Sequence, residues 1–204
     1  MTIKKLLVGT ALLMSAATAW AIPFTGTYDV SVNTSGSGLQ VTANPDSGNL
    51  LFNLDPGQSV WRFLFDISTD ETTVNADDVV PVQASVDFNF VLPTTFGGTA
   101  NGDTVGVSLW SGLLQYGVLS WENGGLNSLH FGNGGILDVY LEDATFAPGL
   151  GGLTGRSAAV DAKFTYRRAP VAVPEPTTLA LIGSGLLLVA WMTRRRWTPR
   201  NDRA

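Results

Sequence analysis

The sequence contains no cysteine among its 204 residues and only one histidine, His130. The absence of cysteine excludes disulfides, thiol nucleophiles, thiolate metal sites and lipid attachment to a thiol. A single histidine excludes a metal site built from several imidazoles. It would suffice for a Ser-His-Asp triad, but no Gly-x-Ser-x-Gly turn is present to carry the serine. We therefore expect His130 to be a strand residue without a catalytic role.

Basic side chains are scarce in the middle of the chain. Residues 22–176 contain five Lys or Arg against sixteen Asp or Glu, which gives this stretch a formal charge of −11. Such an acidic domain repels nucleic acid and anionic lipid headgroups. We therefore expect no nucleic-acid partner. No motif calls for a cofactor, and none is predicted.

The N-terminus has the three parts of a secretory signal. Lys4 and Lys5 precede a twelve-residue apolar run over 6–17, and Ala19-Trp20-Ala21 then supplies the small-x-small pattern of a cleavage site. The run is too short to span a bilayer comfortably, since about 20 residues are needed. We predict a signal peptide over 1–21 that signal peptidase cleaves after Ala21, with Ala19 and Ala21 as its recognition residues.

The C-terminus follows a different fixed order. Pro174-Glu175-Pro176 comes first, an apolar segment follows, and three arginines end it: Arg194, Arg195 and Arg196. The two prolines predict an extended peptide at 174–176. A transmembrane helix is predicted over about 177–193, roughly 25 Å long at 1.5 Å per residue. By the positive-inside rule the arginines stay in the cytoplasm, so the upstream domain is expected on the periplasmic side of the inner membrane.

This terminus resembles the PEP-CTERM sorting domain of Gram-negative bacteria. The matching residues are Val173 to Pro176, the apolar span and the arginine cluster; eight residues, 197–204, trail beyond it. The resemblance implies recognition by an exosortase, processing near 174–176, and a link to extracellular polysaccharide or the outer surface. It implies nothing about the activity of the domain upstream.

The middle of the chain alternates apolar and polar residues with a period of two, which is typical of half-buried antiparallel strands. The alternating segments are 28–32, 61–67, 82–90, 137–141 and 160–167. In the second of them, Trp61 shares a face with Phe63, Phe65 and Ile67, so we expect Trp61 in the core. Glycine-containing turn signals separate the strands, among them Asp55-Pro56-Gly57, Gly97-Gly98, Asn101-Gly102-Asp103, Asn123-Gly124-Gly125 and Asn133-Gly134-Gly135.

These patterns predict an all-β chain with eight to ten short strands. We expect a single antiparallel β-sandwich or jelly-roll domain, flanked by the signal peptide and by one transmembrane helix. The predicted boundaries are a signal peptide over 1–21, an ectodomain over 22–168 and a sorting tail over 169–204.

The ectodomain sequence offers residues for three kinds of binding or catalytic site. Trp110 and Tyr140 fall opposite the apolar face of their strands and are predicted as a glycan-stacking pair. Asp77, Asp78 and Asp103 lie in loop-like segments and are oxygen donors that calcium would accept, although they lack the Asp-x-Asp-x-Asp spacing. The remaining candidates are paired carboxylates for glycoside hydrolysis: Glu122, Glu142 and Asp143.

These observations leave three hypotheses for function. The first is an exported surface or extracellular-matrix β-domain with no catalytic activity, whose partners are signal peptidase, an exosortase and the inner membrane. The second is a carbohydrate-binding or adhesive module associated with extracellular polysaccharide. The third is a secreted hydrolase, which requires two carboxylates converging in one cleft. We expect the first, and no enzyme.

Overall fold

The computed structural model describes residues 21–171 and 181–189. The chain divides into two compact units, Met1–Ala169 and Pro170–Ala204. The predicted cleavage-site residue Ala21 is exposed just before the first strand. The rest of the signal peptide, the Pro174-Glu175-Pro176 motif and the three arginines lie outside the described residues.

The described part of the first unit is built from eleven strands and one short 3-10 turn, Glu122–Gly125. The strands are β1 Ile22–Ser31, β2 Thr42–Asn44, β3 Ser47–Leu54, β4 Ser59–Ser68, β5 Val82–Leu92, β6 Phe96–Leu109, β7 Leu114–Trp121, β8 Leu126–Phe131, β9 Gly135–Leu141, β10 Ala144–Leu150 and β11 Ala158–Arg168. The all-β prediction is confirmed, with one strand more than the upper limit expected.

The strands form two antiparallel sheets. One has six strands in the order β10-β7-β6-β5-β1-β3, and the other has five in the order β2-β4-β11-β9-β8. Aromatic rings from the two sheets meet between them. The ring centroids of Phe24 and Tyr166 lie 5.4 Å apart, and those of Phe52 and Phe164 lie 4.8 Å apart. Both sheets therefore bury their apolar faces in one shared core, as their period-two pattern requires.

Alternation predicted the buried face correctly on four strands. On β1, Tyr28 is buried and Val30 is half-buried against the core, while Asp29 and Ser31 are exposed. On β5, β9 and β11 the residues assigned to the core are buried or half-buried, and the intervening residues of β11 point away from it. Asp138 of β9 lies on the outer face, yet it is also buried, because Arg167 and Ser128 cover it. The pattern succeeds where pairing is regular, since a side chain then changes face at every residue.

Two predicted turns lie inside a strand. Gly97-Gly98 and Asn101-Gly102-Asp103 are part of β6, which runs unbroken for 14 residues. A Cβ at Gly98 would lie 2.6 Å from a methyl carbon of Leu129, and one at Gly102 would lie 2.6 Å from the carbonyl oxygen of Ser120. These glycines admit neighbouring atoms rather than reverse the chain, so the turn interpretation was wrong.

The expectation that Trp61 lies in the core is also wrong. Trp61 and Phe63 are exposed, whereas Leu64 and Phe65 are both fully buried. The register explains this, because Phe63 pairs with Asp161 and Phe65 pairs with Val160, which leaves Leu64 as an extra residue. This β-bulge turns the first half of β4 over, so that its odd-numbered side chains face outward.

A hydrogen bond from the other sheet supports the bulge. The hydroxyl of Tyr28, on β1, donates to the carbonyl oxygen of Leu64. A bulge leaves a backbone group without its ladder partner, and a buried carbonyl without a partner destabilises the fold. Tyr28 therefore helps to fix the arrangement that turns Trp61 outward.

The hydroxyl of a second buried tyrosine, Tyr166, should destabilise the fold, whereas the Tyr28 hydroxyl stabilises it. The Tyr166 hydroxyl is buried and has no hydrogen-bond partner within the part of the chain that the structure describes. Tyr166→Phe should raise the free energy of unfolding by about 1 kcal/mol, because it removes an unpaired polar group. Tyr28→Phe should lower it by about 1–2 kcal/mol, because it removes the donor to Leu64. Urea denaturation of both variants measures these free energies. Equal changes in the two variants would contradict the different roles given to the two hydroxyls.

Residues 181–189 of the second unit are helical, within the stretch predicted as a transmembrane helix. Among the described residues, no helix has the length and apolar character needed to cross a membrane.

Candidate functional site

The outer face of the five-stranded sheet carries a line of side chains that runs across four strands. Lys163 of β11 pairs in register with Trp61 of β4 on one side and with Tyr140 of β9 on the other. Leu126 of β8 pairs with Tyr140 and extends the line. We call these four residues the aromatic row. Because neighbouring strands lie about 4.8 Å apart, the row spans roughly 14 Å of surface.

The rings of the aromatic row stand close together and remain accessible. Trp61 and Tyr140 approach edge to face, with ring centroids 6.2 Å apart and an angle of 83° between planes. The Lys163 ammonium lies 5.8 Å from the centre of the Trp61 ring, within range of a cation–π contact. Trp61 is 45% exposed and Tyr140 is 36% exposed. The row thus offers ring surface and a charged donor side by side.

Polar side chains border the aromatic row along one edge. The hydroxyls of Ser59 and Thr165 lie 2.8 Å apart, and Ser128 donates to Asp138 at 2.7 Å. Arg167 forms an ion pair with the other carboxylate oxygen of Asp138. These partners fix Asp138, because each of its two oxygens is held by a separate donor.

The opposite edge of the row is less constrained. It contains Phe63, Asp161 and Glu142; the Glu142 backbone N–H bonds to the Asp161 carbonyl oxygen, and its side chain is exposed. A shallow depression of about 360 Å³ lies over the row and both edges, lined by Trp61, Leu126, Asp138, Tyr140, Glu142, Lys163 and Thr165. It mixes apolar ring surface with groups that donate and accept hydrogen bonds.

The structure separates the two predicted glycan-stacking residues. Tyr140 belongs to the aromatic row, whereas Trp110 lies in the turn between β6 and β7 of the six-stranded sheet. Trp110 is 73% exposed and has a positive φ of 50°, as does Ser111 with 56°. The neighbours of Tyr140 are Trp61 and Lys163, which sequence reasoning did not assign to a site. Only the β4 bulge and the pairing of three distant strands bring these residues together.

A second depression, of about 340 Å³, is strongly acidic. Its lining includes Asp70, Glu71, Asp77 and Asp78. Asp78 is buried, and one of its oxygens accepts the backbone N–H of Asn75 at 2.6 Å. In the described ranges, no three His, Asp or Glu side chains are grouped so that they could hold a metal ion. Asp103, assigned to a loop from the sequence, is an exposed residue of strand β6 instead.

Burial raises the pKa of Glu71 above its ordinary value of 4.5, and the nearby Asp78 and Asp77 carboxylates raise it further. A hydrogen bond from the Gln40 backbone N–H to Glu71 acts in the opposite direction. The folded state therefore binds this proton more tightly than the unfolded state does. Ionised Glu71 destabilises the fold at neutral pH, and this loss disappears as the pH falls through the raised pKa toward 4.5.

Glu71→Gln should therefore stabilise the protein at pH 7, by no more than about 1 kcal/mol because solvent screens this partly exposed group. The glutamine keeps an oxygen to accept the Gln40 N–H. The advantage of the variant should shrink as the pH is lowered toward 4.5, where the wild-type side chain becomes neutral as well. Denaturation curves at several pH values measure this. A constant difference at every pH would show that Glu71 does not titrate as described.

The residues considered for hydrolysis serve the backbone or lie at the surface. Asp143 accepts the backbone N–H of Trp121 at 2.8 Å, and the Trp121 indole N–H donates to the Glu142 carbonyl oxygen at 3.0 Å. Glu122 begins the 3-10 turn after β7, and His130 is an exposed residue of β8, as the sequence predicted for a strand position. Asp143 thus has a structural task in joining β7 to the β9–β10 connection.

Comparison with known protein families gives one result. Residues 172–196 match the PEP-CTERM protein-sorting motif, which confirms the resemblance described from the sequence. The match begins two residues before Pro174 and ends at Arg196. Comparison with curated proteins and with solved structures found no match.

Proposed function

From the sorting motif at 172–196, we propose that this chain is an exported surface or extracellular-matrix protein whose β-domain is the delivered part. The motif implies processing by an exosortase and anchoring through the C-terminus. In this proposal the β-domain is a sandwich over residues 22–168, and it serves by its surface rather than by catalysis. The motif match is the observation that carries the proposal.

The charge distribution supports the proposed orientation. The stretch between the two ends carries a formal charge of −11, while the arginine cluster lies beyond the apolar segment. Positive residues next to a membrane segment favour the cytoplasmic side, so the acidic domain is proposed to face outward. Signal peptidase would release the N-terminus after Ala21, and the exosortase would act near Pro174-Glu175-Pro176.

The domain carries its own core, which suits a part that is released from its anchor. Every residue of the buried cluster lies between Phe24 and Tyr166, well before the motif begins. The sorting tail therefore supplies none of the buried apolar side chains that the structure describes. Cleavage near 174–176 would leave this core intact.

A second candidate function is a carbohydrate-binding or adhesive module associated with extracellular polysaccharide. The exposed rings of Trp61 and Tyr140, set among polar side chains, favour it. Aromatic rings match the apolar faces of pyranose sugars as they match other flat apolar surfaces.

Protease accessibility in the producing cells tests the proposed location. Protease added to intact cells, or to cells whose outer membrane has been permeabilised, should degrade the β-domain and spare a cytosolic marker protein. Lysing the inner membrane should not be required. Digestion that occurs only after complete lysis would contradict export.

A further inference from the structure

We propose that the aromatic row on the five-stranded sheet binds an uncharged polysaccharide, with Trp61 and Tyr140 stacking on pyranose rings and Lys163 and Glu142 bonding to their hydroxyls. This inference rests on the second candidate function and assigns it to one surface. It moves the site away from Trp110, which lies in a turn between two strands of the other sheet.

The β4 bulge is the first observation behind this assignment. Regular alternation would bury Trp61 and Phe63 with Phe65, but the extra residue Leu64 turns both rings outward. Full burial of such a side chain stabilises a fold by about 1.5–3 kcal/mol, and the chain forgoes part of that contribution at both positions, because Trp61 is 45% and Phe63 is 50% exposed. Bulges often re-aim side chains at functional sites, and here the bulge creates the exposed ring surface.

The aromatic row places exposed rings beside polar side chains, and this combination favours a sugar as the ligand. A pyranose presents apolar C–H faces together with a rim of hydroxyls, so it needs ring surface and polar groups within the same few ångströms. Trp61 and Tyr140 supply the ring surface. Lys163 is a donor between them in register, and the exposed Glu142 is an acceptor at the border of the depression. A purely apolar partner would take both polar groups out of water without giving either of them a hydrogen-bond partner.

The polar side chains along one edge of the aromatic row are already held in place by one another. Asp138 is fixed by Ser128 and Arg167, and the hydroxyls of Ser59 and Thr165 bond to one another at 2.8 Å. All of these residues lie on strands rather than on loops, so little conformational entropy is lost when a ligand binds. The depression over the row is shallow rather than enclosed, which suits a polymer that extends beyond the protein.

Charge decides which kind of polysaccharide fits. With a formal charge of −11 over residues 22–176, the domain repels polymers that carry carboxylates or sulfates. Near the row, Lys163 is offset by Glu142, and Asp138 is offset by Arg167. An uncharged glycan avoids the long-range repulsion and still uses each of these groups as a hydrogen-bond partner.

The test uses the full chain in detergent micelles and an array of uncharged oligosaccharides built from glucose, galactose, mannose, xylose and rhamnose. The best-binding sugar is then titrated by calorimetry. Trp61→Ala and Tyr140→Ala should each weaken binding by about tenfold or more, because each removes one stacking ring. Lys163→Met, which keeps the length of the side chain, should weaken it less. Binding should change little between about 50 and 500 mM NaCl.

Trp110→Ala is the matched control, since Trp110 is the more exposed indole and lies in a turn between two strands of the other sheet. It should leave affinity unchanged, and unaltered thermal unfolding of the Trp61 and Tyr140 variants would show that they are folded. Loss of binding in Trp110→Ala but not in Trp61→Ala would overturn this site while leaving carbohydrate binding in place. Absence of binding by the wild-type chain would overturn the second candidate function itself, without touching the proposed export. If the wild-type chain forms dimers and Trp61→Ala dissociates them, the row is a contact between two copies of the chain. That result would also overturn the proposal.

Discussion

Phe164→Ala should lower the free energy of unfolding by about 3–5 kcal/mol, the range typical of deleting a buried phenylalanine. Phe164 is fully buried on β11, and its ring lies 4.8 Å from Phe52 and 5.8 Å from Phe88 on the opposite sheet. The substitution removes apolar burial and leaves a cavity between two sheets whose backbones are held by their own ladders. The site can therefore collapse only in part. Urea denaturation of the folded domain gives the value.

Phe63→Ala is the matched control, because it makes the same chemical change one strand away. Phe63 is half-exposed on the outer face of β4 and loses far less apolar burial. We expect a change below about 1 kcal/mol. Similar losses for the two variants would contradict the bulge, since regular alternation would bury both phenylalanines.

Replacement of Pro174-Glu175-Pro176 by three alanines should abolish the shorter, processed form of the protein. Proline and the residue before it are disfavoured in helices, so the sequence predicts an extended segment here, and an extended backbone is what a membrane protease needs in its cleft. Alanines remove the carboxylate and favour continuation of the downstream helix through the cleavage region. Immunoblots of membrane and extracellular fractions should then contain only the longer, anchored form.

The control for that experiment lies just beyond the motif. The match ends at Arg196, so alanines in place of Trp197-Thr198-Pro199 should leave processing unchanged. Equal processing of the Pro-Glu-Pro variant and the wild type would contradict recognition of the motif. Loss of processing in both variants would place the recognised region further toward the C-terminus than the account allows.

The strands could be predicted from the sequence wherever local pairing is regular. On β5 and β11, apolar residues repeat every second position, and burial follows the same period. The sorting motif was also accessible, because its recognition depends on the order of residues in a continuous segment. In both cases the signal is local, and no knowledge of distant strands is required.

The aromatic row could not be predicted because it depends on non-local geometry. Trp61, Tyr140 and Lys163 are far apart in sequence and meet only through the order β4-β11-β9. At the bulge the alternation of 61–67 is interrupted, because Phe63, Leu64 and Phe65 are three consecutive apolar residues. The run alone does not show which residue is extra or that Trp61 turns outward. The support for the bulge comes from Tyr28 on the other sheet. The glycines of β6 were wrongly predicted as turns for the same reason, because atoms of other strands occupy the space beside them.

Intact mass spectrometry of the native protein, isolated from the producing cells, tests the central claim most directly. The account predicts a chain that begins at Ile22 and ends near Pro174 to Pro176, recovered outside the cytosol, with any attached glycan visible as added mass. Recovery of the full 204-residue chain from the cytosol, with both termini intact, would contradict it.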